Sequence, residues 1–320
     1  MRVEDIKNIA VIGTGIMGHG IALICAQAGY NVTITRRRVE LIKESIASIN
    51  SDLQMMAKNG LITRDEADAA ISRIEGRPSI SEAVSDADFV IESIVEDMEV
   101  KKSAFKEFDE SSPKHAILTS NTSSFSITEI ATAVKRQDKV AGMHWWNPPH
   151  LMPLVEVVKA EKTSDETVSI VKDLVKRLGK VPAICKDSPG LLGVRLQSAL
   201  VNEAIYILEQ GLASAEDIDT AVKMTLGFRT PILGPLETVD LGGMDTFLNA
   251  YLYLQNKLGE KYRVPDLLKQ KVKSGELGIK TGKGFYDYKG RSIEDIIKRR
   301  NEWLMEQVKN LKKKMAEQQR

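Results

Sequence analysis

The chain has 320 residues and sets 45 lysines and arginines against 44 aspartates and glutamates, for a formal net charge of +1. Such a balance gives no overall field toward nucleic acid or an anionic membrane, and neither is expected as a partner. With 42% hydrophobic and 28% charged residues, the composition is that of an ordinary globular protein, and the length suggests two domains of ordinary size. Cys25 and Cys185 each sit in an apolar run and are expected as buried thiols in a reducing compartment. His19, His115, His144 and His150 show no metal-ligand spacing among themselves or with those cysteines, so no metal site is expected. The N-terminus passes from a charged lead-in into a strand pattern without a signal-peptide core. No apolar run is long enough to cross a bilayer. The expected setting is the cytoplasm.

In chain order, an apolar run at residues 9–12 is followed by glycines and then by a helical pattern over 16–28. Gly29 ends that helix, and residues 31–35 alternate like a second strand. A strand-helix-strand unit this short needs parallel pairing and a right-handed crossover. Residues 39–74 read as helical, interrupted at Asn59-Gly60 and restarted by a Thr63-Arg64-Asp65-Glu66 capping box. The pattern is that of a helical hairpin inserted after the second strand. Further strands are expected at 89–91, 116–119, 140–144, 154–158 and 182–185. Ser126-Ile127-Thr128-Glu129 and Thr163-Ser164-Asp165-Glu166 cap two of the helices between them.

The character changes after Lys186-Asp187-Ser188-Pro189-Gly190. From there on only helical periodicity remains, broken by glycines and prolines. The expected architecture is therefore α/β followed by all-helical, with domains at 1–187 and 188–320. The last stretch, 292–320, places Ile293, Ile296, Ile297, Trp303, Leu304, Val308 and Leu311 among many charges. It reads as an amphipathic helix, packed on its own domain or against a second subunit.

Gly13-Thr14-Gly15-Ile16-Met17-Gly18 is a G-x-G-x-x-G segment standing between a strand and a helix, the context in which that spacing marks a dinucleotide site. Gly13 permits the tight turn, Gly15 lets a pyrophosphate approach the backbone, and Gly18 lets helix and strand pack closely. The amides of Ile16 and Met17 stand at the positive end of the helix. The expectation for the α/β domain is a doubly wound sheet that binds a dinucleotide. At the end of the second strand, where NAD binding calls for an acidic side chain on the ribose hydroxyl, the sequence reads Thr35-Arg36-Arg37-Arg38. Guanidinium groups at Arg36 and Arg37 would hold a 2′-phosphate, which favours NADP(H), with NAD(H) as the alternative. A solvated basic helix start is the other reading.

Three polar segments fall at expected strand ends: Ser120-Asn121-Thr122-Ser123-Ser124, His144-Trp145-Trp146-Asn147-Pro148, and Glu156. The carboxyl ends of such strands line the ligand crevice of an open sheet. Moving a hydride at a hydroxyl-bearing carbon needs a group to take the hydroxyl proton, which a histidine can do. Glu156 on the next strand is a plausible orienting partner for His144. Taken alone, a histidine before two tryptophans would normally be a packing residue.

Together with Leu154-Val155-Glu156-Val157, residues 186–190 and Lys280-Thr281-Gly282-Lys283-Gly284-Phe285-Tyr286, these segments stand in the order and spacing of the 3-hydroxyacyl-CoA dehydrogenase family, which the chain resembles from about residue 9 to residue 288. The resemblance implies a Rossmann-type domain with an inserted helical hairpin, and a helical domain through which a homodimer forms. It also implies oxidation of an L-3-hydroxyacyl thioester to the 3-ketoacyl form. On this sequence His144 would be the acid/base group, Glu156 its partner, and Ser123 a hydrogen-bond donor to the substrate oxygen. Glu96, Lys101, Asn121, Asn147 and, from the second domain, Lys280 would attend the cofactor.

Four departures bear on specificity. Arg36 replaces the family's acidic residue. Val194 replaces an asparagine expected just before the arginine that matches Arg195. In the hairpin, the serine and lysine that would contact CoA align with Asp52 and Asn59, leaving Lys58 as the substitute. Finally, residues 226–235 are longer than the family's glycine-proline turn and carry Arg229, a bidentate clamp for a free carboxylate. This segment resembles relatives that oxidise free hydroxy acids, such as carnitine, gulonate or pyridine-carboxylate dehydrogenases. A short-chain 3-hydroxyacyl-CoA, such as the 3-hydroxybutyryl-CoA/acetoacetyl-CoA couple, is the leading expectation. A free carboxylate-bearing alcohol and a non-catalytic NADP(H)-binding protein are the alternatives.

Overall fold

The computed structural model describes residues 1–318. Its first compact unit runs from Met1 to Val201 and is built on eight strands: β1 (Asn8–Ile12), β2 (Asn31–Thr35), β3 (Ile74–Gly76), β4 (Phe89–Glu92), β5 (Ile117–Ser120), β6 (Val140–Trp145), β7 (Leu154–Lys159) and β8 (Val181–Lys186). They lie side by side in the order β3-β2-β1-β4-β5-β6-β7-β8. Every neighbouring pair is parallel except β6 and β7. The order runs outward from β1 to β3, then restarts on the other side of β1 with β4. A crevice opens at that reversal, beyond the carboxyl ends of the strands.

Helices α1 (Gly18–Gln27), α2 (Glu40–Lys58), α3 (Arg64–Ile71), α4 (Ile80–Val84), α5 (Met98–Ser111), α6 (Ile127–Ala131) and α7 (Asp165–Arg177) cover the sheet. Alternate residues of β1 enter different cores: Ile9 and Val11 join Leu23, Ile49 and Val171, whereas Ala10 and Ile12 join Phe105, Phe108 and Ile127. Burial on both faces explains why this strand is a continuous apolar run with no polar alternation. Each fully buried side chain of this size contributes roughly 1.5–3 kcal/mol.

The helical hairpin is α2 and α3, and Thr63 caps α3 by accepting from the Glu66 amide while Glu66 accepts from the Thr63 amide. Two details differ from the sequence reading. Ile74, read as the last residue of a helical stretch, instead opens the edge strand β3 with Glu75 and Gly76. A Cβ at Gly76 would come within 2.2 Å of Ile42 Cγ2, so α2 packs directly on it. The cap of α7 is Ser164, which accepts from the Thr167 amide, while Thr163 donates its hydroxyl to the Val140 carbonyl at 2.6 Å. Cys25 is buried as expected, and burial pushes its thiol up to about 12. Cys185, on edge strand β8, is only half-buried.

α8 (Leu192–Glu209) leads into the second unit, which begins at Asn202. This unit holds α9 (Ala215–Met224), α10 (Leu226–Arg229), α11 (Pro235–Gly242), α12 (Met244–Leu258), α13 (Asp266–Lys273) and α14 (Ile293–Gln318). It has no strand among the described residues. The glycine-rich segment after α13 is organised by Asp240 of α11, which is wholly buried. Its carboxylate accepts from the amides of Phe285 and Tyr286 and from the Tyr288 hydroxyl. A Cβ at Gly284 would stand 2.2 Å from that carboxylate, so this part of the motif is a packing requirement.

Candidate active site

The β1-α1 turn has the geometry a dinucleotide needs. Gly13 adopts φ +91°, and a Cβ there would meet the Ser93 carbonyl at 2.6 Å. A Cβ at Gly18 would lie 1.8 Å from the Gly13 carbonyl, whereas at Gly15 nothing stands within 4 Å. Gly13 and Gly18 therefore serve the turn and its packing, and Gly15 leaves an open approach. No side chain caps α1, so its first amides are left to a ligand. Ile16 is exposed and Met17 half-buried beside it. A cavity of about 480 Å³ opens here, lined by Thr14, Gly15, Ile16, His19, Arg36, Glu44, Ser45, Ser48, Ser51 and Asp52. The open glycine and uncapped helix start fit a pyrophosphate.

Arg36 follows β2 and donates from Nη1 to Ser45 Oγ at 3.2 Å. It has no carboxylate partner among the described residues. Arg37 is exposed and does not line the cavity. Asp52, on α2, faces His19 Nε2 at 3.2 Å, and His19 Nδ1 lies 2.8 Å from the Gly15 carbonyl. The hairpin is thus tied directly to the glycine turn. Lys58 is exposed at the end of α2.

At the ends of β4 and β5 a buried network fixes the polar loop. Glu92 accepts from Lys101 Nζ at 2.7 Å, from the Ile94 amide at 2.7 Å and from Ser120 Oγ at 2.5 Å. Lys101 is 1% exposed, and its ammonium also reaches Glu96 at 3.1 Å. It faces these two carboxylates rather than open space. Glu96 in turn accepts from the Thr122 hydroxyl, from the amides of Ser123 and Ser124 at 3.3 Å each, and from the Ser124 hydroxyl at 2.8 Å. Burial alone would raise the Glu96 carboxyl. Bonds from Thr122 and Ser124 and the Lys101 charge hold it below the usual carboxylate range instead. Ser123 is left exposed at the tip. Asn121 joins the neighbouring strand ends, donating to Ser93 Oγ at 3.2 Å and accepting from the Trp145 amide at 2.8 Å.

His144 and Glu156 stand directly opposite each other across the antiparallel pair β6-β7. His144 Nδ1 lies 2.6 Å from Glu156 Oε2, and the pair is buried, at 5% and 0% exposure. An ionised carboxylate only accepts, so Nδ1 carries the hydrogen and Nε2 has its lone pair free. Glu156 also accepts from the Gly193 amide at 2.7 Å and from the Trp146 indole at 3.3 Å. Its burial would raise the carboxyl, yet the bonds from His144, Gly193 and Trp146 hold it below the usual range. Chemically, this is a base held in one tautomer by a fixed anion. Trp146, Gly193 and Glu92 were not singled out in the sequence. Glu92 did carry a signal, as a charged residue ending the apolar run Phe89-Val90-Ile91.

Asn147 is exposed just after β6, and Val194 is in the first turn of α8. In the second unit, Arg229 ends α10 exposed, and Lys280 pairs with Asp245 at 2.8 Å. No cluster able to hold a metal occurs among the described residues, and no helix among them is long and apolar enough to cross a membrane.

Residues 8–188 match the family profile described as 3-hydroxyacyl-CoA dehydrogenase, NAD binding domain, and residues 190–288 match 3-hydroxyacyl-CoA dehydrogenase, C-terminal domain. A probable 3-hydroxybutyryl-CoA dehydrogenase of Bacillus subtilis is 41% identical over 289 residues, covering 90% of this chain and 99% of the relative. Among solved structures, a 3-hydroxyacyl-CoA dehydrogenase of Archaeoglobus fulgidus is 32% identical and covers 95% of this chain and 99% of its own, with a TM-score of 0.78. An NAD+-dependent 5-formyl-3-hydroxy-2-methylpyridine 4-carboxylic acid 5-dehydrogenase is 30% identical, with 95% and 96% coverage and a TM-score of 0.73. The chain belongs to the 3-hydroxyacyl-CoA dehydrogenase family. It is an oxidoreductase of that class, built to use a nicotinamide cofactor.

Proposed function

We propose that His144 is the general acid/base of a hydroxyl–ketone interconversion on a short-chain 3-hydroxyacyl-CoA, such as 3-hydroxybutyryl-CoA. The observation that carries this is the 2.6 Å contact between His144 Nδ1 and Glu156. In the oxidative direction the substrate hydroxyl gives its proton to His144 Nε2, and Glu156 stabilises the imidazolium that results. In reduction the same nitrogen returns the proton. A nicotinamide, when bound, accepts or returns the hydride at the substrate's hydroxyl-bearing carbon. Ser123, on the loop that Glu96 orders, donates to the substrate oxygen. Lys101 acts by holding Glu96, Asn121 by bracing the ends of β4 and β6, and Asn147 stands at the cofactor. Lys280, which the sequence assigns to the cofactor, is held by Asp245 within the second unit. Lys58, exposed and free of a carboxylate partner among the described residues, is the group offered to CoA phosphates.

The cofactor we infer is NADP(H), with Arg36 and the exposed Ser48 hydroxyl as donors to a 2′-phosphate and Arg37 as an outer charge; NAD(H) is the alternative. A second substrate reading rests on Arg229 and on the likeness to the pyridine-carboxylic acid dehydrogenase over 95% of the chain. A free carboxylate would then be clamped by Arg229. The protein is proposed to work in the cytoplasm as a homodimer formed through its helical part.

Replacement of His144 tests the reading. His144→Ala is expected to lower turnover by roughly 10²–10⁴-fold, the usual loss with a general acid–base group, while nicotinamide nucleotide binding measured by fluorescence titration stays intact. Undiminished turnover would remove His144 from this role.

A further inference from the structure

We propose that Trp146 and Gly193 are a matched pair of positioning residues that hold the Glu156 carboxylate, and through it the His144 ring. The proposal rests on the acid/base reading of His144 and Glu156 and adds two residues that touch neither substrate nor cofactor in it.

Three donors converge on one buried carboxylate from three parts of the chain. His144 comes from β6, the Trp146 indole from the segment just after it, and the Gly193 amide from the first turn of α8. His144 and Trp146 share Oε2, at 2.6 and 3.3 Å, whereas Gly193 holds Oε1 at 2.7 Å. With both oxygens anchored, the carboxylate cannot rotate about its terminal bond, so the Nδ1 bond fixes the plane of the imidazole. The start of α8 adds a partial positive charge on the same side.

The role of Gly193 is steric. A Cβ there would lie 2.5 Å from Trp146 Cζ2 and 3.3 Å from its Cε2. The indole thus occupies the place of a side chain at position 193, and only glycine lets both the indole and the amide reach Glu156. The Trp146 ring also walls the imidazole, with ring centres 5.5 Å apart and planes tilted by 58°. A tryptophan that merely filled space would need neither its N–H on the carboxylate nor a glycine beneath it.

Trp146→Phe keeps an aromatic ring and removes the donor. Losing one donor to the anion leaves more of its charge to the imidazole and raises the proton affinity of the dyad as a unit. The variant is therefore expected to lose about 10-fold in kcat, the order of one hydrogen bond to a charged group, with Michaelis constants nearly unchanged. The acid limb of kcat/KM for alcohol oxidation should move to higher pH. In the ligand-free protein, the downfield proton resonance of the His144–Glu156 hydrogen bond should shift.

Gly193→Ala should cost far more in the Trp146 background than beside Trp146→Phe, because a phenyl ring has no Cζ2 to collide with. If Gly193→Ala alone does not fold, recovery of folding in the double variant supports the pair equally. A Trp146→Phe enzyme with unchanged kcat, pH profile and resonance overturns the proposal, as does a Gly193→Ala cost that is the same in both backgrounds. Should His144→Ala remain active, the acid/base reading itself fails. Should His144→Ala be inactive while Trp146→Phe behaves as wild type, only the positioning pair fails.

Discussion

Arg36 is the residue on which cofactor choice turns. It sits where a carboxylate would receive the ribose of NAD, and its guanidinium meets a serine hydroxyl and no acid among the described residues. Arg36→Asp would place a negative charge in the cavity beside Gly15, repelling a 2′-phosphate and accepting from a free 2′-hydroxyl. Its kcat/KM ratio for NADPH over NADH is expected to fall by about 10-fold or more, the order of one lost charge-assisted contact. An unaltered ratio would make the arginines a solvated helix start. At this scale, reading the sequence worked where chemistry dictates residue type. Gly13 and Gly18 are required by close approach, and His144 and Glu156, polar residues on neighbouring buried strands, do face each other. It missed Trp146 and Gly193, whose proximity is created by the path of the chain between β6 and α8 and leaves no local signature. Lys101 could be located but not oriented, since nothing local says that a lysine on α5 turns inward to two glutamates.

Among the elements, the long helices and buried strands were legible because periodicity and caps agree. The edge strand β3 was not: three residues carry no period, and the pattern before them is helical. α8 raises a different question. It is strongly apolar yet has no buried residue, with Leu196 58%, Ile205 56% and Leu212, just beyond its end, 74% exposed. The second unit's own fully buried cluster consists of Met244, Val264 and Leu268, little core for a unit of this size. Apolar surface of this kind is expected to be covered by a second copy. Light scattering should give twice the chain mass, and Leu196→Lys with Ile205→Lys should shift the mass toward one chain. A wild-type protein that stays monomeric at micromolar concentration would contradict this reading of α8.

Over the whole molecule, near-neutral charge, a doubly wound sheet and a helical second unit were all foreseeable from composition and pattern. The family follows from profile matches that span residues 8–288. Substrate identity is a property of several departures acting together. Val194 withdraws a polar group that the resemblance leads one to expect, Asp52 is engaged by His19, and Arg229 offers a charge that a thioester does not need. Lys58 stands exposed at the end of α2 without a carboxylate partner among the described residues, which suits CoA. These features weigh against one another and local pattern cannot rank them, because the ranking depends on where a bound acyl chain runs. Turnover ranks them directly. The decisive measurement is a steady-state assay with acetoacetyl-CoA, following NADPH and NADH oxidation separately. Rapid turnover, faster with NADPH, is the predicted result. Absence of turnover with either nucleotide, in a protein that binds them, would contradict the account and favour a free carboxylate-bearing alcohol as the substrate.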